Sequence, residues 1–125
     1  MKIQSVIDAF ENEFTAHKHK FELIDLKGDE IRGSQDHRVA RAGVYVFFKD
    51  ETVLKVGKSL SNARKRALEH FRDNTRKIMR ELDGNKDLHL LLFTVSKRED
   101  EHWVIALEDF FEWKLKPSIR SDRRC

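Results

Sequence analysis

The chain has 125 residues, of which 39% are hydrophobic and 38% are charged, with a formal net charge of +3. This length suits one domain, and the apolar fraction is too high for a disordered chain. The single cysteine is the last residue, which excludes a disulfide framework or a cysteine-based zinc site within one chain. The longest apolar stretch, Leu88 to Phe93, is far shorter than the roughly 20 residues of a membrane helix. Because the first residues also lack the apolar core of a secretory signal, we expect one cytoplasmic domain that makes no membrane contact.

The first 42 residues predict secondary structure less clearly than the rest of the chain. Apolar residues at helical spacing from Ile3 to Phe14 predict an amphipathic helix over residues 2–16. Phe21 to Leu26 is a candidate short strand, and residues 27–41 predict a long polar loop. We expect residues 1–42 to form a helical extension packed on the core of residues 43–125, the two parts making one structural domain.

A β-hairpin is predicted next. The runs Val44 to Phe48 and Thr52 to Val56 are rich in strand-forming residues and are separated by three polar residues, and Gly57 ends the second run. Polar residues between positions 59 and 62, including Asn62, are candidate N-caps of a following helix that reaches residues 71–73. A second helical piece is predicted over residues 75–82.

Positive charge is concentrated in these helical pieces. Seven basic side chains are opposed there by Glu69 and Asp73 alone: Arg64, Lys65, Arg66, Arg72, Arg76, Lys77 and Arg80. Such a field attracts a polyanion, although most charge runs are solvated helix faces. The basic run therefore supports nucleic-acid binding only if a more specific sequence motif is also present.

The last elements are a strand and a helix. Leu88 to Val95 is short, apolar and bounded by turn residues, which predicts a buried central strand. Ser96 and Glu99 have the spacing of a capping box that opens a final helix, and Pro117 ends it. The expected fold is α/β (α+β): a small, mainly antiparallel, three-stranded central sheet flanked by helices, with an added N-terminal helix.

Five sequence elements occur in a characteristic order. Two tripeptides, Gly43-Val44-Tyr45 and Lys55-Val56-Gly57, lie on the predicted hairpin. The next helix carries Arg66 and, four residues later, His70; the last helix carries Glu108, nine residues before Pro117. In order and spacing, these elements resemble the GIY-YIG nuclease family over residues 43–120.

Two positions depart from the family pattern. Lys55 stands where the family usually has Tyr. Arg120 stands three residues beyond Pro117, where the family commonly has Asn. An amide both donates and accepts hydrogen bonds, whereas a guanidinium only donates and always carries charge. Two interpretations stay open: Arg120 is a further phosphate contact in an active variant, or the domain has lost catalysis and only binds nucleic acid.

The resemblance implies hydrolysis of nucleic-acid phosphodiester bonds with one divalent ion, Mg²⁺ or Mn²⁺, and Glu108 is the implied metal ligand. One carboxylate is sufficient, because Mg²⁺ keeps several waters and takes further ligands from substrate phosphate. A glutamate on a helix is usually solvated, but Glu108 follows an apolar run and precedes Phe110. We therefore favour the ligand interpretation.

The resemblance also implies that Tyr45 places its hydroxyl beside the attacking water, as general base or orienting group. The alternative is a core aromatic ring. A free phenol has a pKa of about 10, so it needs cationic neighbours to act as a base near neutral pH. Lys55, on the paired strand, is the candidate neighbour or phosphate contact; an ordinary exposed strand lysine is the alternative.

Arg66 and His70 are four residues apart and share one helix face. Arg66 would stabilise charge on the scissile phosphate, and neutral His70 would accept a proton from Tyr45 or from water. Taken alone, each would be read as a surface residue. Lys58 and Arg64 are candidates for further contacts with the nucleic acid.

The expected function is metal-dependent endonucleolytic hydrolysis of DNA. The alternative is a catalytically degenerate binding module of the same fold, and the pattern leaves RNA open as the nucleic acid. The sequence has no zinc-finger motif, and a chain of 125 residues has little room for a separate recognition domain. Specificity is therefore expected to come from the N-terminal segment, from loops, or from a homodimer or partner protein.

Overall fold

The computed structural model describes residues 1–72 and 77–119 and contains one antiparallel sheet of four strands in the order β1-β4-β2-β3. The strands are β1 (Phe21–Lys27), β2 (Gly43–Lys49), β3 (Thr52–Ser59) and β4 (His89–Val95). The mixed helix and strand class is as predicted, but three strands is wrong and four is the observed number. Strand β4 is central, as expected.

The additional strand is β1, which pairs with β4 along its whole length, from Phe21 opposite Val95 to Lys27 opposite His89. Its partner lies more than sixty positions further along the chain. No local pattern reports such a pairing, and hairpin signals describe only neighbouring strands. The short run at residues 21–26 was therefore visible in the sequence, whereas its place in the sheet was not.

In the described part of the chain, four helices flank the sheet and three short 3-10 turns lie between the elements. The helices are α1 (Ile3–Glu13), α2 (Ala63–Glu69), α3 (Lys77–Glu81) and α4 (Glu101–Leu115). Within residues 1–72 and 77–119, no helix is long and apolar enough to cross a membrane.

The sheet has a separate hydrophobic core on each face. On the first face, α1 and α4 pack against side chains such as Val46 and Phe93. On the second face, α2 and α3 pack against side chains such as Tyr45, Phe47 and Leu92. Alternate residues of β2 point to opposite faces, so neighbouring positions on one strand serve two cores.

The hairpin of β2 and β3 is closed by a two-residue turn. Both turn residues have positive φ, 51° at Asp50 and 61° at Glu51, as in the type I′ turns that match the twist of paired strands. The register shifts between Phe47 and Phe48, which marks a bulge. Strand β3 was predicted to end at Gly57, but it continues to Ser59.

The first 42 residues supply much of both cores. Phe10 of α1 and Phe14, its C-cap residue, pack with the first face, while Ile31 and Val39 of the connecting loop are fully buried against the second. Arg64 of α2 holds this loop from the other side, since its guanidinium donates to the Ser34 carbonyl oxygen at 2.7 Å. The predicted polar loop therefore contains two apolar anchors, which cover the sheet.

Helix α4 begins later than predicted. A 3-10 turn over Arg98–Asp100 precedes it, and neither its N-cap residue nor that of α4 makes a side-chain capping bond. The capping box is therefore absent, and the Asp100 carboxylate instead pairs with the Lys20 ammonium at 3.4 Å. At the other end, Lys116 adopts the left-handed conformation with φ 48°, and the chain then turns along β3. Ile119 donates its N–H to the Leu54 carbonyl oxygen at 2.8 Å.

Candidate active site

The position of Tyr45 depends on a glycine in the neighbouring strand. Tyr45 lies opposite Gly57 in the hairpin register, and its side chain is almost completely buried. A Cβ atom on Gly57 would overlap both the hydroxyl and the ring of Tyr45. The absence of a side chain at Gly57 therefore leaves the space in which the tyrosine ring lies across β3.

The Tyr45 hydroxyl contacts His70. The hydroxyl oxygen lies 2.6 Å from His70 Nε2, a short hydrogen bond between a strand and the end of α2. His70 is placed there because α2 begins at Ala63, where the Asn62 side chain accepts a hydrogen bond from the Lys65 N–H at 2.9 Å. The N-cap predicted at Asn62 is confirmed, and it fixes which helix face meets Tyr45.

The pKa of Tyr45 is shifted by its surroundings. Burial raises this pKa well above its usual value of 10, the positive charge of Arg66 lowers it, and the negative charges of Glu108 and Glu69 raise it further. The phenol is therefore protonated at neutral pH, and it donates this hydrogen bond in the His70 tautomer whose Nε2 carries no proton. The shift also means that Glu108, on the opposite face of the sheet, acts electrostatically on Tyr45.

Glu108 is buried on the inner side of α4, with 3% of the residue exposed. Its Oε1 atom lies 3.3 Å from the Lys58 ammonium at the end of β3. Lys58 faces α4 because it pairs with Val44, whose side chain belongs to the first-face core. The family resemblance predicted functional roles for these two residues, and the structure brings them together.

The side chains around Glu108 determine which kind of metal ion can bind there. Among the residues that the structure describes, no group of three or more His, Cys, Asp or Glu side chains could hold a metal. A dedicated all-protein site is therefore absent from this part of the chain. The single carboxylate of Glu108, which already attracts the Lys58 ammonium, suits Mg²⁺ or Mn²⁺. These ions are often held by one or two carboxylates, water and substrate phosphate. The residues fit an ion of that kind.

Arg66 presents its guanidinium at the surface of α2, with about half of the side chain exposed at 52%. It donates to Glu69 Oε1 at 2.6 Å, and this hydrogen bond lowers the pKa of Glu69. Glu69 therefore stays ionised and orients the arginine. The electrostatic effect of Arg66 on Tyr45 places its charge within range of the phenol.

The remaining predicted site residues lie differently. Lys55 is half-buried and pairs with Phe47, so Gly57, and not Lys55, lies directly opposite Tyr45. Arg64 directs its guanidinium into the loop of residues 28–36. Arg120 lies outside the described residues.

Gly57, Glu69 and Glu112 were not assigned a role from sequence. Gly57 was read as the end of a strand, although its place in the second tripeptide was a signal that a close approach occurs there. Glu69 is three residues from Arg66, the spacing of a helical ion pair. Glu112 follows Glu108 by one helical turn and is 1% exposed, which makes it a second buried carboxylate on the same helix.

Comparisons with known proteins support the fold. No protein-family model matches the sequence, and no curated protein matches it. The fold is similar to that of a solved structure, the GIY-YIG N-terminal endonuclease domain of UvrC from Thermotoga maritima bound to its catalytic divalent cation, magnesium. The two chains are 19% identical with a TM-score of 0.50, and the match covers 72% of this chain and 94% of that one. The mixed α/β architecture of a four-stranded antiparallel sheet with flanking helices thus matches the GIY-YIG fold.

Proposed function

We propose that the protein is a metal-dependent endonuclease that hydrolyses phosphodiester bonds in DNA. The observation that carries this proposal is the convergence of two polar contacts at one end of the β2–β3 hairpin. Tyr45 bonds His70 on one face, and Lys58 pairs with Glu108 on the other. The two contacts are neighbours in the hairpin, since Tyr45 lies opposite Gly57 and Lys58 is the next residue, and the charge of Glu108 raises the pKa of Tyr45.

His70 is the proposed proton acceptor. The raised pKa of Tyr45 makes the phenolate a poor resting form, so the tyrosine cannot simply start as the base. In the tautomer with an unprotonated Nε2, His70 accepts the phenolic proton while the phenolic oxygen takes one from the attacking water. Each step moves one proton over one hydrogen bond, and the histidine has the side chain that titrates nearest neutral pH.

Exposed Arg66 and partly exposed Lys58 would contact the phosphate. Arg66 is suited to bidentate binding of phosphate oxygens, because its planar guanidinium presents paired donors. Lys58 supplies a point charge beside the carboxylate of Glu108. When bound through Glu108, a divalent ion would supply Lewis acidity to the phosphate and its leaving oxygen.

The substrate class follows from the surface of α2. Lys65 and Arg66 of α2 are exposed, as is Arg72 just beyond it, and His70, the C-cap of α2, contacts Tyr45. A cluster of exposed basic side chains binds a phosphate backbone with strong salt dependence and little sequence preference. We propose that sequence or structure specificity comes from a partner protein or a second copy of the chain.

A plasmid-nicking assay with Mg²⁺ or Mn²⁺ tests the proposal. The wild type is expected to convert supercoiled DNA to the nicked form, and EDTA is expected to stop it. Glu108→Gln should reduce the rate by about a thousandfold or more, because the loss of a metal ligand removes several kcal/mol of transition-state stabilisation. Glu101→Gln, on the same helix but partly exposed, is the matched control and should cut at the wild-type rate.

Two results would contradict the proposal. Cleavage that resists EDTA would exclude a metal-dependent reaction. Binding of DNA with salt dependence but without cleavage of duplex, branched or single-stranded substrates would instead identify a binding module.

A further inference from the structure

We propose that Lys58 is a built-in counter-ion that occupies the cation position at Glu108 and is displaced when a divalent ion binds there. The inference rests on the proposed function, since it concerns the same site. The new element is a competition between the Lys58 ammonium and a metal ion for the Glu108 carboxylate. This competition regulates when the metal ion is in place.

The geometry of the pair supports this exchange. Lys58 Nζ lies 3.3 Å from Glu108 Oε1, and the carboxylate side chain is only 4% exposed. Few directions are therefore left from which a second cation can approach. The lysine side chain is 30% exposed and sits near the end of an outer strand, so its flexible stem has solvent to move into.

Electrostatics makes the two occupants exclusive. A divalent ion held by Glu108 would carry the same sign of charge as an ammonium that stays 3.3 Å from the same carboxylate oxygen, and like charges close together in a partly buried site repel strongly. The ammonium must therefore withdraw before or during metal binding. The wild-type lysine weakens the apparent metal affinity, because every binding event includes breaking the Lys58–Glu108 pair.

The displaced lysine acquires a new partner. After withdrawal, its charge lies beside the position where a substrate phosphate would bind, so metal binding delivers a second cation to the nucleic acid. Without metal, Glu108 retains Lys58. Metal arrival and phosphate contact are thereby coupled through one side chain.

Mn²⁺ binding without DNA provides the test, measured from the paramagnetic resonance signal of free Mn²⁺. Lys58→Met should bind Mn²⁺ about tenfold more tightly than the wild type, because the competing charge is gone. Glu108→Gln should abolish this binding. Lys20→Met is the matched control: Lys20 pairs with Asp100 at 3.4 Å with similar exposure, 29% and 10%, beside the opposite edge of the sheet.

The outcomes separate the two proposals. If Glu108→Gln abolishes binding but Lys58→Met leaves the wild-type affinity unchanged, the exchange is wrong and the metal site of the proposed function stands. If all variants bind Mn²⁺ equally, or none binds it, the exchange is overturned together with the role of Glu108. A gain in Lys20→Met equal to that in Lys58→Met would also overturn it.

A measurement on the wild type covers the case in which Lys58→Met fails to fold. The acetylation rate of individual lysines is followed by mass spectrometry with and without Mg²⁺. Lys58 should react several times faster with Mg²⁺, relative to Lys20 in the same sample, since its ammonium leaves the carboxylate. An unchanged ratio under saturating Mg²⁺ would contradict the exchange.

Discussion

The two edges of the sheet have similar contacts with different consequences. At the β1 edge, Asp25 bonds His89 at 2.9 Å and Lys20, next to β1, pairs with Asp100 at 3.4 Å. At the β3 edge, Tyr45 of β2, whose ring lies across Gly57 of β3, contacts His70 at 2.6 Å, and Lys58 of β3 pairs with Glu108 at 3.3 Å.

The difference lies in burial and convergence. The Asp25–His89 contact is partly exposed, with 46% and 30% of the two side chains in solvent, and exposed pairs contribute little to stability. At β3, the tyrosine is 2% exposed and experiences the charges of Arg66 and Glu108. A histidine contact or a lysine–carboxylate pair is thus uninformative singly; function is indicated where buried polar groups act on one another.

The largest expected effect comes from filling the space that holds Tyr45. Gly57→Ala places a methyl group in the tyrosine ring, so the ring must move and the bond to His70 is lost. We expect cleavage to fall about a thousandfold or more, and the free energy of unfolding to fall by about 1–3 kcal/mol. Gly33→Ala is the control, because nothing lies within 4 Å of its added Cβ. Wild-type cleavage by Gly57→Ala would refute the assigned place of Tyr45.

The second largest effect is expected at His70, and His89 provides the comparison. His70→Asn should slow cleavage about a hundredfold, since a positioned proton acceptor is lost, whereas His89→Asn should leave the rate unchanged. Single-turnover rates measure both. If Tyr45 and His70 act as one relay, the double variant Tyr45→Phe/His70→Asn will lose little more than the worse single variant. Multiplicative losses would mean that the two residues act separately.

A smaller effect is expected at Arg66. Arg66→Gln should lower the cleavage rate about tenfold to a hundredfold and reduce the salt dependence of DNA binding by about one phosphate contact. The measurement is affinity at several salt concentrations with non-cleaving Ca²⁺. Arg98→Gln, beyond β4 and exposed, should not change the salt dependence. If Arg66→Gln and Arg98→Gln changed the salt dependence equally, Arg66 would not be a specific phosphate contact.

The pH prediction concerns the only tyrosine of the chain. Ultraviolet absorbance reports its ionisation, and burial should hold the folded phenol neutral above pH 10. The unfolded chain loses this proton first, near pH 10, so the free energy of unfolding falls as the pH rises further. Tyr45→Phe should remove that part of the fall. A tyrosine that titrates near pH 10 in the folded protein would contradict its burial.

The sequence predicted local features more completely than distant ones. The hairpin, the N-cap at Asn62 and the central strand β4 arise from neighbouring residues, and their patterns were sufficient. The pairing of β1 with β4 and the burial of Ile31 within a polar loop arise from contacts distant in sequence. Such contacts leave no periodic signal.

The candidate site shows the same division. Tyr45, His70, Lys58 and Glu108 were singled out because motif spacing places them on defined elements. A tyrosine base was expected to need cationic neighbours, but burial is the largest influence on the pKa of Tyr45 and raises it. Arg64 was grouped with its charged neighbours, but its helix face turns it toward the loop carbonyls.

Cleavage and DNA affinity, measured together on the wild type, Tyr45→Phe and Glu108→Gln, test the central claim most directly. The claim is that residues from both faces of the sheet form one hydrolytic centre. We predict that the wild type cuts DNA with Mg²⁺ and that each variant loses at least about a hundredfold in rate while keeping its DNA affinity. A wild type that binds without cutting, or either variant cutting at the wild-type rate, would contradict the claim.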